Sequence, residues 1–331
     1  MRRRDFISLI GSAAATWPVA AHAQQVRILG ALMNGIANEP LLRASMAALT
    51  EKLRELGWIE GKNLHLEVRW NGGSAEQARA FASELTALKP AVILSSSTTN
   101  LLALSNATNS IPIVFVSVSD PVAQGFVPNL TKPGGNITGF SAFEFSVAGK
   151  WLELLREVAP KLEQVTMMVN PDTSPQSKYF MKAMESAAPS LKLRVDAAWV
   201  RTPGEIDSAI TRVAGQPNGS MVIPTDSYTR PRNDRIAELA LKSRVPTLSA
   251  SGDFVNHGGL MFYGPVSREN MIEQSRSAAS YIDRILHGAN PGDLPIQGAS
   301  KYALFINRKT ATALGLEIPP KLLFTADKVI E

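Results

Sequence analysis

The feature that most constrains this chain is a regular alternation of two hydrophobic patterns. Short apolar runs such as Val26–Met33 alternate with segments such as Glu39–Leu56, where Leu42, Met46 and Leu49 recur at helical spacing. The first pattern is typical of a buried strand and the second of an amphipathic helix. Strands that alternate with helices predict βαβ units, and therefore a parallel sheet with helices on both faces.

This alternation continues to residue 248, with one pause at the turn cluster Lys132–Asn136. The predicted strands are Val26–Met33, Leu64–Trp70, Ala91–Leu94, Pro112–Val118, Ile137–Phe140, Gln164–Asn170, Leu191–Val200, Ser220–Ile223 and Val245–Leu248. The predicted helices are Glu39–Leu56, Ser74–Leu88, Thr98–Thr108, Ser146–Val158, Ser174–Ala188, Pro203–Val213 and Arg230–Ser243.

The pause divides the pattern into two blocks, so we predict an α/β protein of two Rossmann-like lobes with parallel sheets, joined by a hinge. The N-terminal lobe comprises 26–140 plus about 265–290, because the long helix Arg268–His287 returns to it. The C-terminal lobe comprises 141–264 plus about 291–331. Gly134, Gly135 and Gly139 lie near the first crossing, where a few residues must absorb any rotation.

The first 23 residues, MRRRDFISLIGSAAATWPVAAHA, are typical of an export signal. They combine a basic start, an apolar stretch and the small-x-small cleavage pattern Ala21-His22-Ala23. The run Arg3-Arg4-Asp5-Phe6-Ile7 resembles a twin-arginine signal, and an ordinary secretory signal is the alternative. No later run approaches the ~18 apolar residues of a membrane span. We therefore expect a soluble periplasmic protein that begins at Gln24.

Several classes of function lack support in the sequence. The chain has no cysteine, and its four histidines show no metal-ligand spacing, so we expect no metal site. The phosphate-loop, dinucleotide, nucleophile-elbow and zinc-protease motifs are absent, so we expect no cofactor and no catalytic residue. Lysines and arginines are scattered without interleaved aromatic residues, which argues against nucleic-acid binding.

Polar loops follow the predicted strands, at the edge where open α/β sheets bind ligands. The candidate ligand-binding residues in these loops are Asn34, Ser96, Ser97, Thr98, Thr99, Ser119, Asp120, Thr225, Asp226, Tyr228 and Asp253. Hydroxyls and helix starts on the first lobe suit a carboxylate. An ammonium needs acceptors such as Asp226 or Asp253 on the second lobe. The division suits a zwitterion held across a cleft, although another small polar solute also fits.

Long segments along the chain resemble the ABC-transporter substrate-binding proteins of the type I periplasmic binding fold, in the branch with tryptophan- and tyrosine-binding members. The matching segments are LRELGWIEGKNLHLEVRW (53–70), IPIVFVSVSDPV (111–122), LTKPGGNITGFS (130–141), LELLREVAPKLEQVTMMVNP (152–171), GGLMFYGP (258–265) and INRKTATALGLEIPP (306–320). The resemblance implies a non-enzymatic protein that delivers a small solute to an inner-membrane permease.

The same resemblance implies roles for particular residues. Thr98 occupies the position of a threonine that helps to hold the ligand carboxylate, and Asp120 and Asp226 match the aspartates of the DPV and PTD motifs. Ser141, after the hinge, is a further candidate ligand-binding residue, but Ala142 stands where the branch tends to have aspartate. The missing carboxylate weakens the case for an aromatic amino acid.

We therefore expect a monomeric solute-binding component of an ABC importer whose ligand is a small polar molecule. Amino acids, aromatic ones among them, are the candidate ligands. One alternative is a sensory module with the same two lobes and a membrane signalling partner. A second is an exported enzyme that uses carboxylates among Asp120, Asp226 and Asp253 as its acid and base.

Overall fold

The computed structural model describes residues 26–265, 268–299 and 301–331, and the export signal predicted over 1–23 lies outside these residues. The first sheet is parallel throughout, in the order β2-β1-β3-β4-β5. Its strands are β1 (Arg27–Met33), β2 (Leu64–Trp70), β3 (Val92–Ser96), β4 (Ile113–Val118) and β5 (Ile137–Ser141). The helices between them are α1 (Pro40–Glu55), α2 (Ala75–Ala87) and α3 (Thr98–Ala107).

The second sheet has the order β12-β11-β10-β9-β8-β6-β7. Its strands are β6 (Gln164–Val169), β7 (Arg194–Trp199), β8 (Gly219–Ile223), β9 (Thr247–Ser249), β10 (Met261–Gly264), β11 (Ala303–Asn307) and β12 (Lys328–Ile330). The remaining helices are α4 (Val147–Val158), α5 (Ser177–Ala187), α6 (Pro203–Ala214), α7 (Asn233–Lys242), α8 (Arg268–Leu286), α9 (Arg308–Leu314) and α10 (Pro320–Thr325).

Two mostly parallel sheets confirm the predicted fold class, with one local exception. Strand β11 runs antiparallel to β10, while every other pairing among the described strands is parallel. The exception arises because the chain returns to the second sheet from the other lobe after α8 and not through a helical crossover within the lobe.

Each sheet buries both of its faces, as the sequence pattern requires. In the first lobe, α1 and α8 cover one face through residues such as Leu49 and Ile282, and α2 and α3 cover the other through Leu85 and Leu101. In the second lobe, α4 and α5 cover one face, and α6 and α7 cover the other. The polar ends of the parallel strands are thus the part of each sheet left free to face a ligand.

The second crossing between lobes comes later than expected. Residues 294–297 run beside β5, since the Thr138 hydroxyl donates to the Leu294 carbonyl at 2.6 Å and the Ser141 amide to the Gln297 carbonyl at 2.8 Å. Residues 294–297 thus complete the edge of the first sheet, a few residues beyond the predicted boundary at about 291.

The glycines predicted to act as a hinge serve packing within the first lobe. An ideal Cβ on Gly139 would lie 2.1 Å from the Phe115 carbonyl oxygen, so glycine is required where β5 approaches β4. The Gly134 amide donates to the Gly292 carbonyl at 3.1 Å, which ties two turns of the same lobe together. The first crossing follows β5, after these glycines.

Among the helices of residues 26–265, 268–299 and 301–331, none has the length and apolar character of a membrane span.

Candidate functional site

A cavity of about 810 Å³ lies between the lobes, where the carboxyl ends of the strands of both sheets face each other. This volume is within the usual range for small-molecule sites. Nine of the candidate residues line it: Asn34, Ser96, Ser97, Thr98, Thr99, Ser119, Thr225, Asp226 and Asp253. The cavity thus has a first wall on the N-terminal lobe and a second wall on the C-terminal lobe.

The start of α3 forms the centre of the first wall. Ser97 is its N-cap, and the Ser97 hydroxyl oxygen accepts the Asn100 amide at 3.3 Å. The Asn100 side chain is fully buried, donates to the Leu32 carbonyl and accepts from the Asn71 side chain. These two hydrogen bonds fix the start of α3 relative to the ends of β1 and β2. The amides of Thr98 and Thr99, in the first turn, have no acceptor within the helix, which makes this end attractive to an anion.

Three hydroxyls on the first wall keep a proton that they can donate to a ligand. Ser96 Oγ accepts the Asn34 amide at 2.8 Å, Ser97 Oγ accepts Asn100, and Thr98 Oγ1 accepts the Ser119 amide at 3.4 Å. Each hydroxyl has one donor proton, and none of the three donates to a protein acceptor in the described part of the chain. The wall therefore offers hydroxyl protons beside free helix amides, an arrangement suited to a carboxylate.

The second wall contains a carboxylate that the protein itself already uses. Asp226 is only 5% exposed, and its oxygens accept the Asn170 amide at 2.8 Å, the Tyr228 amide at 3.0 Å and the Thr173 hydroxyl. Burial raises the pKa of Asp226, and these hydrogen bonds partly oppose the rise. Three hydrogen bonds from its own lobe thus engage the Asp226 carboxylate, and the ammonium-binding role expected from the sequence stays a prediction.

Asp253 is the remaining candidate carboxylate on this wall. It lies on the short 3₁₀ helix Gly252–His257, is exposed, and lines the cavity. Its side chain has no hydrogen-bond partner among the described residues. Thr225 also lines the cavity, where its carbonyl accepts the Gln176 side chain at 3.5 Å.

Three candidate residues do not line the cavity. Asp120 forms a turn, in which its carboxylate accepts the Ala123 amide at 3.0 Å. The Ser141 hydroxyl donates to the Val118 carbonyl at 3.2 Å within the sheet. The Tyr228 ring packs 3.9 Å from the Arg232 guanidinium. The polar groups of Asp120 and Ser141 bond within the first lobe, and the buried Tyr228 hydroxyl has no hydrogen-bond partner among the described residues.

Direct contacts across the cleft were not predicted from the sequence. Asn34 Nδ2 donates to Ser227 Oγ at 3.0 Å, the Thr99 hydroxyl donates to the Thr173 carbonyl at 3.1 Å, and Arg230 pairs with Glu39. We call these three pairs the cross-cleft contacts. The partners are 193, 74 and 191 residues apart, so no local pattern could reveal them. They hold the two walls in a closed arrangement.

The apolar part of the cavity was also missing from the sequence prediction. Phe143, which follows β5, and Phe305, on β11, line the cavity. Phe143 is buried and packs edge-on against Trp151 and Phe180, so its position is fixed by the core of the second lobe. Across residues 26–265, 268–299 and 301–331, no group of histidine, cysteine or acidic side chains has the arrangement of a metal site.

Comparison with known proteins gives a consistent result. A family model described as ABC transporter substrate binding protein matches residues 33–330. A tyrosine-binding protein of Clostridioides difficile is 25% identical over 282 residues, which cover 85% of this chain and 79% of that protein. A conserved domain protein of Vibrio cholerae has 26% identity and a TM-score of 0.79, covering 92% of this chain and 100% of that one.

Two further solved structures differ in their state. The ligand-free, open structure of a substrate-binding protein with adhesive properties from Clostridium difficile has 27% identity and a TM-score of 0.63, covering 92% of this chain and 99% of that one. An ABC domain of Streptococcus pneumoniae in complex with L-Trp has 23% identity and a TM-score of 0.77, covering 92% and 100%, and shows the fold alone. The lower score against the open structure agrees with the closed arrangement made by the cross-cleft contacts.

Proposed function

The chain belongs to the family of ABC transporter substrate-binding proteins, and from this premise we propose that it is the solute-binding component of an importer. Its ligand is a small molecule with a carboxylate, in the first instance an amino acid. The ligand occupies the cleft, with the carboxylate on the first wall and the rest of the molecule between Phe143 and the second wall.

The observation that carries this proposal is the set of unused donors on the first wall. The hydroxyls of Ser96, Ser97 and Thr98 and the amides at the start of α3 converge on one side of the cavity. No lysine or arginine is needed there, because hydrogen bonds to an ionised acceptor are about twice as strong as neutral ones. A carboxylate satisfies several of these donors at once.

An ammonium group is received by Asp253, the second-wall candidate whose carboxylate has no hydrogen-bond partner among the described residues. A relative that binds tyrosine and a structural neighbour that holds L-Trp support an amino acid as the ligand class. Phe143 and Phe305 beside the cavity suit an apolar side chain on the ligand. Ala142 stands where the aromatic-amino-acid branch tends to have aspartate, so the proposal extends to amino acids with other apolar side chains.

The family also supports the remaining parts of the proposal. The protein acts without catalysis, because it belongs to a family of substrate-binding proteins and Asp120 and Asp226 are engaged in turns and wall loops. It is exported to the periplasm by the signal over 1–23, and it delivers its ligand as a monomer to an inner-membrane permease, not to nucleic acid or to a signalling partner.

A thermal-shift titration tests the ligand class directly. The purified mature protein is mixed with L-tyrosine, L-tryptophan, L-leucine and 3-(4-hydroxyphenyl)propionate, which lacks the amine. A ligand at 100 times its dissociation constant adds about 2.7 kcal/mol to the free energy of unfolding. We expect at least one amino acid to stabilise the protein; stabilisation by none of these carboxylates would contradict the proposal.

Matched variants then assign the two ends of the ligand. Thr98→Ala should weaken binding of the amino acid by about 0.5–1.5 kcal/mol, while Thr50→Ala, on the exposed face of α1, should leave it unchanged. Asp253→Asn should weaken the amino acid and spare the analogue without the amine. Equal losses for both ligands would remove Asp253 from the proposal without affecting the carboxylate site.

A further inference from the structure

The cross-cleft contacts join protein to protein and leave the ligand space free. On the first wall they use Asn34 and Glu39, from the loop between β1 and α1, and Thr99, from the first turn of α3. On the second wall they use Thr173, after β6, and Ser227 and Arg230, after β8. Closure of the cleft therefore depends on how accurately two separate loops of the second wall are held.

Both of these loops are tied to one buried side chain. The Thr173 hydroxyl donates to Asp226, and the amide of Tyr228, next to Ser227, donates to the same oxygen at 3.0 Å. The Arg230 amide donates to the Asp226 backbone carbonyl at 3.0 Å. Thus every second-wall residue that makes a cross-cleft contact either bonds to Asp226 or is its neighbour in sequence.

Asp226 is also anchored to the rigid part of its lobe. Its second oxygen accepts the Asn170 amide at 2.8 Å, immediately after β6, and the residue itself follows β8. Strands β6 and β8 are neighbours in the sheet. The carboxylate therefore fixes the two loops relative to each other and to the ends of two paired strands.

The first wall is shaped for the same close approach. An ideal Cβ on Gly73 would lie 3.1 Å from the Cβ of Ser227, and Gly73 has φ +82°, which favours glycine. A larger residue at this position would push the Ser227 loop away from the first wall and separate Asn34 from its partner.

We propose that Asp226 is a positioning residue for closure: it holds the loops that bear Thr173, Ser227 and Arg230 so that the cross-cleft contacts close the cleft before a ligand arrives. The inference does not depend on which ligand is bound. A closed state that is populated beforehand raises the apparent affinity for any ligand that binds it, because the ligand no longer has to supply the energy of closure.

The test measures closure without ligand by pulsed electron paramagnetic resonance. The chain has no cysteine, so Glu76→Cys and Gly204→Cys provide unique labelling sites, one on each lobe. Glu76 is exposed, and a Cβ at Gly204 meets no atom within 4 Å. We expect the doubly labelled parent to show a short-distance population in buffer alone. Its absence, with the long distance only, would overturn the proposal.

Asp226→Asn keeps the size of the side chain and replaces one acceptor oxygen by a donor. We expect it to lower the ratio of closed to open protein by about tenfold, because two buried hydrogen bonds lose their acceptor. Asp207→Asn, on α6 and outside the cavity, is the matched control and should leave the ratio unchanged. Thr173→Val removes a single donor to Asp226 and should lower the ratio less, which gives a second measurement if Asp226→Asn does not fold.

A double-mutant comparison separates positioning from a general structural role. In a background with Glu39→Ala, Thr99→Val and Ser227→Ala, all three cross-cleft contacts are already lost. Adding Asp226→Asn to this background should change the ratio by less than about twofold if Asp226 acts through these contacts. A further tenfold loss there would show that Asp226 supports the lobe as a whole, and would overturn the proposal.

Discussion

The two walls of the cleft are both polar, but they use their polar groups differently. The first wall keeps donors free and holds backbone in unusual conformations, since Ser97 and Ser117 have φ of 90° and 57°. The cleft loops of the second wall contain no described non-glycine residue with positive φ. In these described loops the buried carboxylate of Asp226 accepts hydrogen bonds from three donors of its own lobe.

This difference indicates a division of labour between the walls. Free hydroxyl protons and strained backbone are typical of surfaces that are completed by a ligand. A buried carboxylate with its hydrogen bonds satisfied is typical of a structural centre. We therefore expect substitutions on the first wall to act mainly on binding and substitutions at Asp226 to act mainly on stability and closure.

The largest effect expected from this comparison is on the free energy of unfolding. Asp226→Leu would leave the Asn170 and Tyr228 amides and the Thr173 hydroxyl without their acceptor, which should cost about 3–5 kcal/mol. Thr98→Val loses one long hydrogen bond and should cost about 1 kcal/mol. Urea unfolding at neutral pH measures both values, and similar costs for the two variants would break the comparison.

The sequence predicted the first wall better than the second. The hydroxyl run 95–99 lies between a buried strand and a helix, so local patterns alone predict a capped helix start at the cleft. The role of Asp226 depends on donors 53 and 56 residues away, which no local pattern records. At Asp120 the sequence left two roles open, a turn before proline and the ligand contact implied by the family resemblance, and the structure shows the turn.

The fold shows the same limit. Strands that alternate with helices were predicted because each is bounded by its own helix. Strands β10, β11 and β12 were not, since they are short and their sheet partners come from distant parts of the chain. Their pairing is set by tertiary contacts after α8 has returned from the other lobe.

A smaller effect, of opposite sign on the two lobes, is expected at two helix caps. Ser97 has φ 90° and ψ 156°, a region that only glycine occupies without strain. Ser97→Gly should therefore raise the free energy of unfolding by about 1 kcal/mol, because relief of strain exceeds the loss of the cap. Thr202, the N-cap of α6, has φ −127° and a capping box with Glu205, so Thr202→Gly should lower it by about 1 kcal/mol.

Thermal and urea unfolding of the two variants measure these changes against the parent. Ser97→Ala is the control for strain, because alanine removes the hydroxyl but keeps a Cβ, and it should be destabilising. If Ser97→Gly and Thr202→Gly both destabilise the protein, the strain at Ser97 is smaller than the loss of its cap, and the predicted difference between the two helix caps is contradicted.

The smallest expected effect is a pH dependence that belongs to the second wall alone. Burial raises the pKa of Asp226 above its ordinary value, because an ionised carboxylate loses hydration, and the hydrogen bonds from Thr173, Tyr228 and Asn170 oppose this only in part. Between about pH 3.9, where an aspartate in the unfolded chain ionises, and the higher pKa in the folded protein, the folded state binds more protons. Stability from this group must then fall as the pH rises through that window and stay constant above it.

The parent and Asp226→Asn should therefore differ most in unfolding free energy at the acid end of the window, and urea titrations at half-unit steps from pH 3.5 to 7 measure that difference. A difference that grows as the pH rises would contradict this prediction. It would mean that the hydrogen bonds to Asp226 lower its pKa by more than burial raises it, so that the folded protein prefers the ionised carboxylate.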